Sequence, residues 1–176
     1  MKQGWKIFWI VLIVLIIIGG ISWWGWSQYI KWKRIWEKIT FSKPIPTALD
    51  LKGLTLADLV NISFGGEDKN VTTTLQMLIT NNSDTEITFN NLKIKLFYKG
   101  QIITETSDVL YNANYVLPAN GVVPIKDTIN ISVNTAGEFL KEKILGGHPI
   151  VDYTVDLSVN GIPIGKIYPI KGNFSW

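Results

Sequence analysis

The residue types that most often carry catalysis are sparse in this sequence. The chain has one histidine and no cysteine, which excludes cysteine nucleophiles, disulfide frameworks and Cys- or His-rich metal sites. His148 stands in the loop sequence Gly146-Gly147-His148-Pro149, without a recognisable nucleophile motif beside it. A catalytic triad needs a nucleophile, a base and an orienting acid in one place, so we predict a surface histidine and no catalytic residues.

The carboxylates fall in predicted turns and on polar strand faces, where solvated charges are expected. They are Glu67, Asp68, Asp84, Glu86, Asp108, Asp152 and Asp156. A calcium site needs several oxygens converging at about 2.3–2.6 Å, and the sequence has no EF-hand-like loop, no P-loop and no G-x-G-x-x-G motif. We therefore predict no metal, no cofactor and no small-molecule substrate, and we expect that the protein is not an enzyme.

Asparagine appears in five Asn-x-Ser/Thr triplets. They begin at Asn61, Asn70, Asn81, Asn130 and Asn173. Such triplets are glycosylation acceptors in a secretory lumen, but polar strand faces are also rich in Asn, Ser and Thr. Our interpretation is the second, and glycosylation is the alternative.

Charge and tryptophan divide the chain into two unlike parts. Residues 1–43 carry a net charge of +6 and residues 44–176 a net charge of −3, and seven of the eight tryptophans precede residue 37. The basic balance thus belongs to the N-terminal segment, where a membrane accounts for it. We predict no nucleic-acid partner.

The N-terminal segment contains a stretch suited to crossing a bilayer. Residues 7–30 are 24 residues without a charge, and they include the aliphatic run IFWIVLIVLIII. About 20 apolar residues in a helix span the hydrocarbon core. A cleaved signal peptide is the alternative, but the uncharged stretch of 24 residues exceeds the usual 7–15 apolar residues, and no A-x-A site follows. We predict a retained single-pass membrane anchor. Basic residues on both sides leave its orientation open.

Aromatic and basic residues mark the expected membrane interfaces. After the span, Tyr29, Trp32, Trp36 and Ile39 recur at helical spacing among basic residues. Such a helix suits an anionic membrane surface, and packing against neighbouring protein is the alternative. The predicted membrane-interface residues are Trp5, Trp9, Trp23, Trp24, Trp26, Tyr29, Trp32, Trp36, Lys31, Lys33, Arg34 and Lys38.

The remainder of the chain has the period of a β protein. Pro44 and Pro46 end the helical pattern. Alternation of apolar and polar residues, with glycine punctuation, then predicts about seven strands: 54–64, 71–80, 87–98, 101–106, 123–133, 151–160 and 162–170. Thr135 and Glu138 fit the capping box of one helix that Gly146-Gly147 would end. The predicted fold class is mainly β, an antiparallel sandwich with one short helix behind a single transmembrane helix.

One part of the domain resembles a known family. The segment LQMLITNNSDTEITFNNLKIKLFYKGQIITE resembles the core of late-embryogenesis-abundant type 2 proteins, the water-stress and hypersensitive-response domain. Asn81-Asn82-Ser83 stands at the family's turn, Tyr98 near a strand end and Gly100 in the following hairpin. The resemblance covers roughly residues 50–172. It implies an immunoglobulin- or fibronectin-III-like sandwich without a catalytic site, in a family linked to stress tolerance and often tethered to membranes.

The sequence therefore predicts four segments. They are a transmembrane anchor (1–26), a basic Trp-rich amphipathic helix (27–41), a proline-containing linker (42–49) and a β-sandwich (50–176). We expect a non-enzymatic structural or protein-interaction role at the membrane surface, with the lipid bilayer and other membrane or assembly proteins as partners. The alternative is a minor structural membrane protein of a lipid-containing virion or envelope assembly, linking a protein shell to its bilayer.

Overall fold

A computed structural model describes residues 2–47, 49–51, 54–63, 69–159, 162–164 and 169–176. The chain divides into two compact units, residues 1–39 and residues 40–176. The first unit is dominated by helix α1, Lys2–Trp36. Its 35 residues correspond to a length of about 52 Å at 1.5 Å per residue. The predicted anchor and the first part of the predicted amphipathic helix thus form one continuous helix, which ends before Ile39.

The second unit consists mainly of strands. Its first strand begins at Ile39, which is the last residue of the first unit. In chain order the elements are β1 (Ile39–Phe41), β2 (Ile45–Pro46), α2 (Leu56–Ser63), β3 (Asn70–Asn81), β4 (Ile87–Tyr98), β5 (Gln101–Glu105), α3 (Asp108–Asn112), β6 (Tyr115–Leu117), β7 (Val122–Ser132), α4 (Val133–Ile144), β8 (Ile150–Val159), β9 (Ile162–Pro163) and β10 (Ile170–Ser175).

The strands form two antiparallel sheets. In the first sheet, β7 pairs with β3 along nearly its whole length, so β1 and β2 share the other edge of β3. The second sheet has the order β10-β8-β4-β5, with β6 also paired to β4 and β9 to β8. The predicted fold class, an antiparallel β-sandwich behind an apolar helix, is confirmed.

Apolar and polar residues alternate along the long strands, so the side chains on one face of each sheet are buried in the core. On β3, Leu75, Met77 and Ile79 are at most 2% exposed, and on β4 Ile94 and Leu96 are as deeply buried. The apolar residues of the predicted alternation at 71–80 and 151–160 are the ones that face inward on β3 and β8. A bulge on β4 between Asn90 and Lys93, with Asn91 at φ 53°, resets the alternation so that Leu92, rather than Asn91, enters the core.

Two turns follow their sequence signals. Lys99 (φ 48°) and Gly100 (φ 81°) connect β4 to β5 with both central residues at positive φ, as a type I′ hairpin requires. Helix α4 ends in a Schellman motif, in which Gly146 (φ 80°) donates to the Lys143 carbonyl and Gly147 to the Glu142 carbonyl. Asn160 and Gly161 lie outside the described residues, although β8 and β9 pair antiparallel on either side of them.

A buried network of hydrogen bonds connects the turn at Asn81, after β3, to the turn at Pro118, before β7. The Asn81 side-chain amide donates to the carbonyls of Thr85 (2.8 Å) and Pro118 (3.0 Å). Its carbonyl oxygen accepts from the backbone and the hydroxyl of Ser83. Asn81 is 1% exposed. This triplet therefore connects two turns of the sandwich and offers no accessible glycosylation site.

Three predictions about local structure are wrong. The strand predicted at 54–64 is helix α2 over Leu56–Ser63, because Leu56, Leu59 and Val60 follow helical spacing behind a capping residue. The helix predicted at Thr135 begins at Val133, with Ser132 as its N-cap and a kink at Ala136. The strand predicted at 162–170 is β9 followed by β10, with residues 165–168 outside the described part.

The segment 42–49, predicted as a linker, is built into the first sheet. Ile45 and Pro46 pair with Gln76 and Leu75 of β3, and the backbone amide of Ser42 donates to the Leu78 carbonyl at 2.9 Å. Proline is tolerated there because β2 lies on a sheet edge, where one missing donor disrupts no ladder. One short helix was predicted in this part of the chain, and it corresponds to α4. Helices α2 and α3 were not predicted.

Candidate functional site

Helix α1 presents its predicted interface aromatics in two groups. Trp23, Trp24 and Trp26 are 62–77% exposed, and Tyr29 and Trp9 are also exposed. The Trp5 side chain lies outside the described residues. Trp32 and Trp36 are half-buried, on the same helical face as buried Ile35. The predicted aromatic stripe therefore comprises Tyr29, Trp32 and Trp36, and Ile39 has left the helix for β1.

The predicted basic residues lie exposed around the end of α1. Lys31, Lys33 and Arg34 are on its last turns, and Lys38 is in the turn that follows. Lys33 lies 3.9 Å from Glu37, the carboxylate of this stretch. Such an exposed pair contributes little, so the segment keeps its positive character.

Among the helices in the described part of the chain, α1 is the one long and apolar enough to cross a membrane. Its candidate span is Leu12–Trp36, in which an 18-residue stretch has a mean hydropathy of 1.4 and no buried residue. The aliphatic residues near the start of this span, Ile13–Ile18, are each 46–65% exposed. Within the described part of this chain, no other residues cover this apolar surface, and its length and composition fit a membrane span or a signal sequence.

A cleft of about 640 Å³ opens in the second unit between α2, the start of α4 and the β4–β5 hairpin. Its apolar lining consists of Leu56, Leu59, Val60, Ile103, Ala136 and Phe139. Leu56 and Val60 are 41% and 55% exposed, whereas Phe139 is fully buried. The cleft thus has an apolar floor and an accessible apolar rim.

Charged groups line the hairpin side of the cleft. Lys99 Nζ donates to Glu138 Oε2 at 3.1 Å and lies 5.0 Å from the centre of the Tyr98 ring. The Tyr98 hydroxyl donates to Glu142 Oε2. This hydrogen bond, followed by burial, raises the pKa of Tyr98 above its usual value, and the hydrogen bond to Glu138 raises the pKa of Lys99. Both shifts of pKa favour the protonated form of the side chain.

A capping box begins helix α2, which lines the cleft through Leu56, Leu59 and Val60. The Asp58 carboxylate accepts from the Thr55 amide (2.7 Å) and hydroxyl (2.8 Å), and Thr55 Oγ1 accepts from the Asp58 amide. Lys69 Nζ lies 2.5 Å from the other carboxylate oxygen. The hydrogen bond from Lys69, with those from Thr55, lowers the pKa of Asp58 to about 2.

The structure keeps the sequence's other candidates for chemistry apart. His148 is exposed in its loop, Asp84, Glu86, Asp108 and Asp152 are exposed, and Asp156 is half-buried. Glu67 and Asp68 lie outside the described residues. Within the described part, no three His, Asp or Glu side chains gather as metal ligands do.

The two sheets present unlike outer faces. On the first sheet the outward side chains of β2, β3 and β7 include no carboxylate, and we call this surface the neutral face. It comprises Ile45, Asn70, Thr72, Thr74, Gln76, Leu78, Thr80, Val122, Pro124, Lys126, Thr128 and Asn130. On the second sheet we call the outward side chains of β4, β5 and β8 the ion-paired face. It comprises Thr88, Asn90, Lys93, Lys95, Phe97, Ile102, Glu105, Ile150, Asp152, Thr154 and Asp156.

Sequence reasoning missed the cleft. Thr55-x-x-Asp58 followed by Leu59 and Val60 is a capping signal with helical apolar spacing, and it was the available clue to α2. The contact between α2 and α4 has no local signal, because 69 residues of sequence separate these helices.

Comparison with known proteins gives distant structural likenesses. No protein-family model and no curated protein matches the chain. A protein from Archaeoglobus fulgidus is 8% identical, with a TM-score of 0.42, over 78% of this chain and 98% of that chain. A FixG-related protein from Vibrio parahaemolyticus is 9% identical, with a TM-score of 0.35, over 79% and 94%. The cupredoxin domain of amoB from Nitrosocaldus yellowstonii is 13% identical, with a TM-score of 0.35, over 78% and 84%. Likenesses at this level assign no function.

Proposed function

We propose that the protein is a single-pass, membrane-anchored β-sandwich with a non-enzymatic structural or protein-interaction role at the membrane surface. This is the kind of role that the resemblance to late-embryogenesis-abundant type 2 proteins implies. The observation that carries the proposal is the uncovered apolar surface of α1, joined by two residues to a folded sandwich.

The energetics of α1 support insertion. Seven aliphatic side chains, Ile13–Ile18 and Ile21, are each 46–65% exposed. Full burial of one such side chain contributes about 1.5–3 kcal/mol, so covering the exposed portions of all seven is worth on the order of 10 kcal/mol. The exposed tryptophans at 23, 24 and 26 suit the headgroup level at the end of that span.

The polar groups of the sandwich support binding over catalysis. In the described residues, Tyr98, Lys99, Glu138 and Glu142 are engaged with one another beside the cleft. Clefts of this size are typical of binding sites, and the lining of this one is part apolar and part polar.

Membrane extraction and intact mass test the anchor. The full chain, expressed in cells, is expected to stay in the membrane fraction after alkaline carbonate washing and to keep its complete mass of 19.8 kDa. In the variant Leu15→Arg/Ile18→Arg, two charges near the middle of the span cost about 5–7 kcal/mol of insertion, so the chain should leave that fraction. The matched control Ser27→Arg/Gln28→Arg places the same charges beyond the apolar run and should remain.

Two outcomes would contradict the proposal. A mature chain lacking its first two to three dozen residues would make α1 a signal sequence. Metal- or nucleotide-dependent turnover by the purified full chain in detergent would make the protein an enzyme.

A further inference from the structure

The neutral face has an apolar end. Leu78 of β3 lies opposite Pro124 of β7, Thr80 opposite Val122, and Ile45 opposite the neighbouring Gln76. Ile45, Leu78 and Val122 are 65%, 48% and 51% exposed, and Pro124 is also exposed. Four apolar side chains from three adjacent strands therefore form one exposed group, which we call the apolar end of the neutral face.

Two basic residues lie near this group, and the exposed acidic residue Asp84 lies in the turn that follows β3. Lys126 lies across the strand pair from Gln76 on the same face, and exposed Lys43 precedes Ile45 by two residues. The described residues of the neutral face include no carboxylate, although residues 44–176 contain 13 acidic side chains. This exclusion of negative charge complements an anionic surface.

The covalent connection between α1 and these strands is short. Two residues, Glu37 and Lys38, separate α1 from β1, and β2 begins at Ile45. An extended chain covers at most about 3.5 Å per residue, so the connection from Trp36 to Lys43 can span at most about 25 Å. Residues 31–43, which lead to the neutral face, carry five basic side chains and one acidic one.

We propose that the apolar end of the neutral face rests on the headgroup layer of an anionic bilayer. Ile45, Leu78, Val122 and Pro124 enter the boundary between headgroups and acyl chains, and Lys43 and Lys126 lie over lipid phosphates. The inference rests on the proposed function, since it requires α1 to hold the sandwich at that bilayer. Shallow apolar insertion combined with basic residues is how surface-bound proteins gain affinity for such membranes.

Site-directed spin labelling of the full chain in nanodiscs tests the inference, and the absence of native cysteine makes single labels unambiguous. Labels are placed by Val122→Cys on the apolar end, by Val109→Cys at a residue 82% exposed on α3, and by Ile16→Cys within α1. Each is measured in discs of phosphatidylcholine with and without phosphatidylglycerol. The readout compares accessibility to oxygen, which concentrates in lipid, with accessibility to a water-soluble nickel chelate.

We expect the Val122 label to be lipid-facing in the anionic discs and the Val109 label to be aqueous in both. Lys126→Gln should lower the ratio of lipid-bound to water-exposed Val122 label about fivefold, as loss of one basic contact predicts. Leu78→Glu should release the label, whereas the control Ile102→Glu, at a residue 45% exposed on the ion-paired face, should leave it in place.

The outcomes separate the inference from the proposed function. If the Ile16 label is in lipid while the Val122 label is as aqueous as the Val109 label, the docking is wrong and the anchor stands. If the Ile16 label is aqueous, the anchor itself is wrong. Dipolar broadening between Val122 labels that grows with the number of chains per disc would assign this face to a second copy and overturn the inference.

Discussion

The neutral face and the ion-paired face belong to one sandwich and share one core, yet they differ in the number and pairing of their charged side chains. On the ion-paired face, Lys93 Nζ lies 2.6 Å from Glu105 Oε1, and Lys95 Nζ lies 3.1 Å from Asp156 Oδ2. The neutral face has Thr, Asn and Gln side chains, an apolar end and one lysine. Both faces satisfy the same alternating strand pattern, so inward burial does not explain the difference.

The contrast indicates different surroundings for the two faces. Cross-strand ion pairs can form in contact with water, where each pair contributes little to stability. Hydroxyl and amide groups can hydrogen-bond to water, sugars or a neighbouring backbone without the cost of burying a charge. The ion-paired face therefore fits permanent exposure to water, and the neutral face fits the contact with a bilayer that we propose.

The largest expected effect compares the two sides of β3. Leu75 is 2% exposed on the core side, and Leu78 is 48% exposed on the neutral face. Leu75→Ala should lower the free energy of unfolding by about 3 kcal/mol, through lost burial and the cavity left behind, whereas Leu78→Ala should cost less than about 1 kcal/mol. Urea unfolding of the full chain in detergent, followed by far-ultraviolet circular dichroism, measures both. Equal losses would mean that Leu78 is part of the core and that the neutral face is not a surface.

A smaller effect is expected from the ion-paired face. A double-mutant cycle with Lys95→Ala and Asp156→Ala should give a coupling free energy below about 1 kcal/mol, since both side chains are partly solvated. The coupling should decrease when the salt concentration is raised. A coupling of several kcal/mol that salt does not change would show that this face is covered rather than exposed.

The smallest effect concerns a charge that lies on neither face. Carbon-13 NMR of the Asp58 carboxyl group should give a pKa of about 2, and Lys69→Met should raise that pKa toward 3.8 by removing the strongest hydrogen bond. Because the folded-state pKa is depressed, the contribution of the cap to stability is present above the unfolded pKa of about 3.9 and is lost as pH falls through about 2. An unchanged pKa in Lys69→Met would show that the capping box alone sets it.

Much of the fold was predictable because its signals are local and periodic. Val71, Leu75 and Ile79 alternate with polar residues, and they are core residues of β3 as expected. The glycine signals at 100 and 146 were reliable because both residues adopt positive φ. Helix α2 was mistaken for a strand because its short apolar run fits either period, and β10 was missed because Lys171, Gly172 and Asn173 interrupt any apolar alternation.

The candidate sites divide in the same way. The interface residues of α1 follow from composition and helical spacing, whereas the cleft depends on α2 and α4 meeting and is invisible along the sequence. Asn81 illustrates the limit within a single residue. Its triplet is one of five similar ones in the sequence, and only its hydrogen bonds to Thr85, Pro118 and Ser83 show that it joins two turns.

The sequence by itself determined a charge-free apolar helix, a change to alternating strands after it, and a chain with one histidine and no cysteine. Those properties depend on residues that are close together in the sequence, so their spacing can be read directly from it. Tertiary structure decided which polar rows lie side by side. Strand register places Lys126 opposite Gln76 of β3, on the same face as Leu78, and it brings Lys95 to Asp156, 61 residues away. Charge separation between the two faces therefore arises only when distant strands pair.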